Sequence, residues 1–118
     1  MPTSIYGRFY QLGYVARDID AAVAHLQARM GARLTDLTHD VRGADGEPTP
    51  LQNLAHMVVP GAELEIIQPR DDMPSIYHET LPLQGDFVRL HHLGFRSTTK
   101  KPGSRPSPRW RSCRPPWR

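Results

Sequence analysis

The sequence predicts an α+β fold, in which a βαβββ module is followed by the first strand of a second module. Three observations support this prediction. An apolar helical stripe follows a strand-like opening segment, three more strand-like segments come after the helix, and a motif from the first strand recurs near residue 92. Such a recurrence indicates that the chain begins the same structural unit a second time.

Residue type and spacing predict the first strand and the helix. Residues 8–16 are rich in aromatic and β-branched residues, which is typical of a strand. Asp18 suits the N-cap of the helix that follows, and Gly31 suits its C-terminal cap. Between these caps, apolar residues at helical spacing form one stripe: Ile19, Val23, Leu26 and Met30. We therefore expect an amphipathic helix over residues 19–30.

Three strands are predicted after the helix, at residues 33–41, 51–59 and 62–68. Only Pro60 and Gly61 separate the second of these strands from the third. Because so short a turn joins neighbouring strands, we expect an antiparallel hairpin.

A long connection and a fifth strand complete the predicted module and open the next one. Residues 69–86 form the connection, with a helical turn expected at residues 75–81. Residues 89–96 carry the sequence RLHHLGFR and are expected to form the fifth strand.

Composition divides the chain into two segments. Residues 1–98 hold all 12 carboxylates and eight arginines, a net charge of −4, whereas residues 99–118 hold seven lysines and arginines and five prolines. We expect residues 1–98 to be an incomplete domain and residues 99–118 to be a disordered basic tail.

No stretch of the sequence is apolar enough to predict a membrane span or a secretory signal, and the single Cys113 excludes an internal disulfide. We therefore expect a cytoplasmic protein without a specific nucleic-acid or membrane partner.

The repeat gives chemistry to particular positions. The motif QLGY at residues 11–14 matches HLGF at residues 92–95, so Gln11 and His92 hold equivalent places on two strands. Alternation along a strand puts Glu63 and Glu65 on one face, and it puts His91 on the face opposite His92. We therefore expect His91 to pack outside the site, and His56 and His78 are candidates for the wall of a pocket.

Residues 8–97 resemble the vicinal-oxygen-chelate superfamily, which contains glyoxalases, bleomycin-resistance proteins and extradiol dioxygenases. Members pair two βαβββ modules around one metal ion, and the first strand of each module commonly carries a His or Gln ligand before a small apolar motif. The resemblance implies that Gln11, His92 and Glu65 are metal ligands, with Glu63 as the runner-up to Glu65. Imidazole, carboxylate and amide groups are suitable ligands for a divalent metal.

The resemblance also implies a function. It suggests a lyase or isomerase of the glyoxalase or epimerase type, in which a divalent ion (Zn, Ni, Co, Mn or Fe(II)) polarises a carbonyl of a small molecule and Glu65 moves a proton next to it. Two alternatives stay open: a bleomycin-resistance-type protein that binds a small molecule without catalysis, and an extradiol-type dioxygenase. A non-functional fragment is a third reading of the same sequence.

One departure from the family pattern concerns the C-terminal end. The fourth ligand in the family is usually a Glu on the last strand of the second module, and no such strand is predicted here. We therefore expect that the chain is truncated or frameshifted near residues 97–99. A lone module exposes sheet edges, so we also expect a homodimer that brings two modules together.

Overall fold

The sheet is organised around one central strand, β2, which has neighbours on both of its edges. The computed structural model describes residues 3–4 and 7–97, which form a mixed six-stranded sheet and one α-helix. The strands have these bounds: β1 (Thr3–Ser4), β2 (Gly7–Val15), β3 (Arg33–His39), β4 (Leu51–Val59), β5 (Ala62–Pro69) and β6 (Arg89–Arg96).

The strand order places the two halves of the predicted repeat side by side. The order is β1-β2-β5-β4-β3, and β6 pairs with the other edge of β2. The β2–β5 pair is parallel, and every other adjacent pair among the described strands is antiparallel. As expected from the short turn, β4 and β5 form an antiparallel hairpin, in which Val59 pairs with Ala62.

The helix α1 (Ile19–Met30) begins and ends at the predicted caps. The Asp18 side chain accepts a hydrogen bond from the backbone N–H of Ala21 at 3.1 Å, and Gly31 adopts a left-handed conformation with φ of 63°. The predicted stripe is buried except at its last member, Met30, which is 45% exposed.

The helix covers one face of the sheet and creates the main core. Its buried residues pack against side chains from β4 and β5: Ala55, Met57, Leu64 and Ile66. Because side chains alternate along a strand, the neighbouring residues of β4 and β5 point to the opposite face, which we call the open face.

One end of the open face is apolar and covered. A 3₁₀ helix (Ile76–Thr80) places the buried Tyr77 against Val15 and Ile67, and Leu54 packs at the edge of this cluster. The helical turn expected in the long connection is therefore confirmed, and it closes one end of the open face.

Two features differ from the predicted elements. The strand β3 ends at His39, two residues before the predicted end, because Asp40 turns the chain with a positive φ of 55°. The short strand β1 was not predicted. The tail predicted for residues 99–118 lies outside the described residues. Within the described part of the chain, no helix is both long enough and apolar enough to cross a membrane.

Candidate functional site

Five residues from five strands form a line across the open face. His92 pairs with Gly13, Gly13 with Glu65, Glu65 with His56, and His56 with Asp36. Residues directly opposite each other in a sheet are neighbours on the same face. We call this line the site row, and its members are Asp36, His56, Glu65, Gly13 and His92.

The Glu65 carboxylate lies at the centre of the site row, between two imidazoles. His92 Nε2 is 3.3 Å from Glu65 Oε1, and His56 Nε2 is 3.3 Å from Glu65 Oε2. Burial on its own raises the pKa of Glu65, but the hydrogen bonds and charges of His56 and His92 outweigh it and lower the pKa to about 2. The site therefore presents an ionised carboxylate at any physiological pH.

A second carboxylate holds His56 from its other side. His56 Nδ1 is 3.4 Å from Asp36 Oδ2, so each ring nitrogen of His56 faces a carboxylate oxygen. Contact at both nitrogens fixes the plane of the ring, and this ring in turn fixes the Glu65 carboxylate against β4.

Gly13 provides the space that the His92 ring occupies. A Cβ atom at position 13 would overlap the imidazole ring of His92. The small residue in the repeated motif therefore has a steric role, because it allows the His92 ring to lie across β2 and reach Glu65.

Gln11 lies on the same face, one step further along β2. It is 2% exposed, and its Nε2 donates a hydrogen bond to Glu63 Oε1 at 2.8 Å. The register agrees with this contact, since Gln11 pairs with Glu63 and Gly13 pairs with Glu65. The structure thus brings Glu65 and His92 into direct contact and places Gln11 beside them, bonded to the runner-up carboxylate.

His91 does not pack outside the site, contrary to the prediction from strand alternation. The β2–β6 register shifts after the Gly13–His92 pair, and Tyr14 pairs with Leu90, so His91 is skipped. This irregularity turns the His91 ring toward His92, and their Nδ1 atoms are 2.8 Å apart. The centroid of the His91 ring is 4.9 Å from that of Tyr77. Burial, and then the nearby His92, lower the pKa of His91.

Sequence reasoning did not identify two members of the site row. Asp36 was not considered, and His56 was considered only as a pocket wall. The two-residue turn at Pro60 and Gly61 contained the missing signal for His56, because the register of a tight hairpin places His56 directly opposite Glu65. His78 belongs to the 3₁₀ helix, where its Nδ1 is 3.0 Å from Ser75 Oγ.

The donors on the open face fit a divalent cation in chemical type. Glu65 supplies an ionised carboxylate, His92 an imidazole, and Gln11 an amide. No group of three or more His, Cys, Asp or Glu side chains capable of holding a metal ion occurs within residues 3–4 and 7–97. His56 and His92 contact different oxygens of the Glu65 carboxylate, one from β4 and the other from β6. A cation bound by Glu65 and His92 would therefore take its third donor from the Gln11 amide.

Comparison with known proteins identifies the fold. No protein family model matches the sequence, and no curated protein matches it either. Among solved structures, the chain is similar to methylmalonyl-CoA epimerase from Mycobacterium tuberculosis, with a TM-score of 0.58 and 20% identity. The match covers 84% of this chain and 61% of that protein, so the chain spans less than two thirds of the protein it matches. The likeness shows that the matched part of this chain shares the fold of that epimerase, and the fold is α+β as predicted from the sequence.

Proposed function

We propose that this protein is a metal-dependent enzyme of the glyoxalase or epimerase type, which transfers a proton next to a carbonyl of a small molecule. The observation that carries the proposal is the ionised Glu65 carboxylate in contact with His92 on the open face. A fold shared with methylmalonyl-CoA epimerase also supports the same reaction class.

The proposed ligands are Glu65, His92 and Gln11. When bound there, a divalent cation supplies Lewis acidity, which polarises a carbonyl and acidifies the neighbouring C–H. The low pKa of Glu65 suits a ligand, because the carboxylate stays ionised without competition from protons. Gln11 reaches the same face with its amide held by Glu63.

Two carboxylates are candidates for the proton acceptor. The resemblance assigns this role to Glu65, but a carboxylate whose pKa is about 2 is a weak base. Glu63 is another carboxylate on the open face, and it accepts a 2.8 Å hydrogen bond from Gln11. We therefore assign Glu65 first to binding, and we treat Glu63 and Glu65 as alternatives for moving the proton.

The apolar end of the open face bounds the space that a substrate can occupy. Val15, Ile67 and Tyr77 are buried there beneath the 3₁₀ helix, with Leu54 at the edge of the cluster, so a substrate on the open face would lie beside this cluster. A molecule with two neighbouring oxygens can direct these oxygens to the site row.

Metal binding is the first test of the proposal. Purified full-length protein is titrated with Zn²⁺, Ni²⁺, Co²⁺ and Mn²⁺, and with Fe²⁺ without oxygen, by calorimetry. We expect one ion per chain, and a loss of at least about tenfold in affinity for Gln11→Ala and for His92→Ala. His25→Ala is the matched control, because the His25 ring stacks on Phe87, a contact that involves no member of the site row. A wild-type protein that binds none of these ions would overturn the metal centre.

The second arm of this test measures proton transfer. Methylmalonyl-CoA is the first probe, because the structural neighbour is named for it, and other small carbonyl compounds follow. Metal-loaded protein is incubated in D₂O, and deuterium at the carbon next to the carbonyl is measured by NMR. Comparison of Glu63→Gln with Glu65→Gln separates the two proton acceptors, since only the ligand variant should also lose the metal. Tight binding of a probe without exchange would instead support a non-catalytic binding protein.

A further inference from the structure

We propose that His91 is a positioning residue for His92, and that it sets which ring nitrogen of His92 faces the cation site. This inference rests on the proposed function, because it concerns the orientation of a proposed metal ligand. It goes beyond that function because strand alternation predicts that His91 lies on the face opposite His92, outside the site. Among the described residues, His91 has no hydrogen bond or ion pair with Glu65, and its hydrogen bond is to His92.

The geometry of the two neighbouring histidines carries the argument. The Nδ1 atoms of His91 and His92 are 2.8 Å apart, a distance at which one nitrogen donates its proton and the other accepts it. At its other end, His92 Nε2 is buried and lies at an ion-pair distance of 3.3 Å from Glu65 Oε1. The hydrogen bond at Nδ1 therefore orients the ring so that Nε2 faces the Glu65 carboxylate.

This arrangement links the direction of the hydrogen bond to occupation of the site. Without a cation, a neutral His92 that keeps its proton on Nε2, toward the Glu65 carboxylate, accepts from His91 at Nδ1. With a cation, Nε2 must present its lone pair, so the proton of His92 lies on Nδ1 and His91 must accept it. His91 can do both, since its own ring can carry its proton on either nitrogen.

A buried aromatic residue keeps His91 in place. The centroids of the His91 and Tyr77 rings are 4.9 Å apart at an angle of 54°, and Tyr77 is 8% exposed. The register shift in β6 turns His91 toward this contact. The 3₁₀ helix is thereby connected to the site by two contacts, one between Tyr77 and His91 and one between His91 and His92.

Two substitutions separate positioning from simple packing. His91→Phe keeps an aromatic ring against Tyr77 but removes the acceptor, whereas His91→Asn restores an acceptor oxygen on a shorter side chain. His25→Phe serves as the control, because it replaces another half-buried histidine in a ring contact that involves no site-row residue. Thermal unfolding of each variant identifies any loss that comes from instability.

The test uses the full-length protein with zinc as the probe. We expect His91→Phe to weaken zinc binding about tenfold, with His91→Asn and His25→Phe close to the wild type. Long-range ¹H–¹⁵N spectra of the zinc-loaded wild type should show the His92 proton on Nδ1. Zinc binding by His91→Phe at wild-type affinity, equal weakening by His25→Phe, or coordination of zinc through Nδ1 of His92 would each overturn the positioning role alone. A wild type that takes up no zinc would overturn the proposed function and this inference with it.

Discussion

The Glu65 carboxylate is both partly buried and charged, and its neighbours determine its pKa. Its side chain is 16% exposed, a position where an isolated carboxylate would have a raised pKa. Two imidazoles at 3.3 Å reverse this effect and lower the pKa to about 2. Glu65 therefore stabilises the fold in its ionised form, in addition to its proposed role as a ligand.

A pH dependence of stability follows from this lowered pKa. Folding lowers the pKa of Glu65 from an ordinary value of 4.5 to about 2, so the folded state binds fewer protons than the unfolded state between these values. Its contribution is complete above about pH 5 and is lost as the pH falls toward 2, with an upper limit of about 3 kcal/mol. Urea unfolding of the wild type and of Glu65→Gln across this range measures it. Equal slopes of the free energy of unfolding against pH in both proteins would contradict the assignment.

The sequence predicted part of this arrangement of side chains because two kinds of signal are local. The repeated motif identified Gln11 and His92, and strand alternation placed Glu65 on a shared face, as the structure also has it. The contact of Gln11 with Glu63 depends on the offset between two parallel strands, which no local pattern specifies. His91 was misplaced because a register shift between β2 and β6 breaks the alternation that the prediction assumed.

At the scale of elements, caps and turns determined which predictions succeeded. Asp18 and Gly31 defined α1 correctly, because each has a conformational role that the sequence makes visible. The end of β3 was predicted two residues too late, because the hydrogen bond from Asp40 N to Asn53 Oδ1 joins residues that are distant in sequence. Tertiary contacts of this kind determine the ends of strands more than their existence.

A buried arginine holds the loop between β3 and β4. Arg70 is 8% exposed, and its guanidinium lies 3.0 Å from Asp40 Oδ1. Its other hydrogen bonds go to oxygens on both sides of the loop: Val41 O, Thr49 O, Leu51 O and Gln52 Oε1. Hydrogen bonds to Arg42 and Arg70 lower the pKa of Asp40. The Arg70 guanidinium thereby joins the end of β5 to the loop, and none of its hydrogen bonds or ion pairs within the described part of the chain involves the site row.

Removal of this guanidinium should destabilise the fold while leaving the site intact. Arg70→Ala removes a charged donor from several partly buried oxygens, and we expect a loss of about 3 kcal/mol in the free energy of unfolding. Arg70→Lys should lose less, because one ammonium group can satisfy only part of the same set. Chemical denaturation measures both variants, and Arg42→Ala is the matched control, since Arg42 is a more exposed partner of Asp40. A loss below about 1 kcal/mol for Arg70→Ala would show that the loop does not depend on this residue.

For the whole molecule, the outer edge of β6 combines an open strand edge with exposed apolar side chains. Within residues 3–4 and 7–97, β6 pairs only with β2, so its second edge has no strand beside it. Leu90 and Leu93 on this strand are 50% and 48% exposed. An edge strand with exposed leucines favours association with another strand. The edge also lies next to the site, because His92 belongs to β6.

We predict that a second copy of the chain covers this edge and that the protein is a homodimer. Sedimentation of the full-length protein at several concentrations should give a dimer, with Leu93→Lys shifting it to monomer, because a lysine on an edge strand opposes pairing through its charge. Leu83→Lys is the control, since Leu83 is 69% exposed and lies outside every strand. If β6 forms the interface, the same Leu93→Lys variant should also weaken zinc binding, because His92 is the adjacent residue on that strand. A monomer at every concentration, or a dimer that Leu93→Lys leaves unchanged, would show that β6 is not the interface.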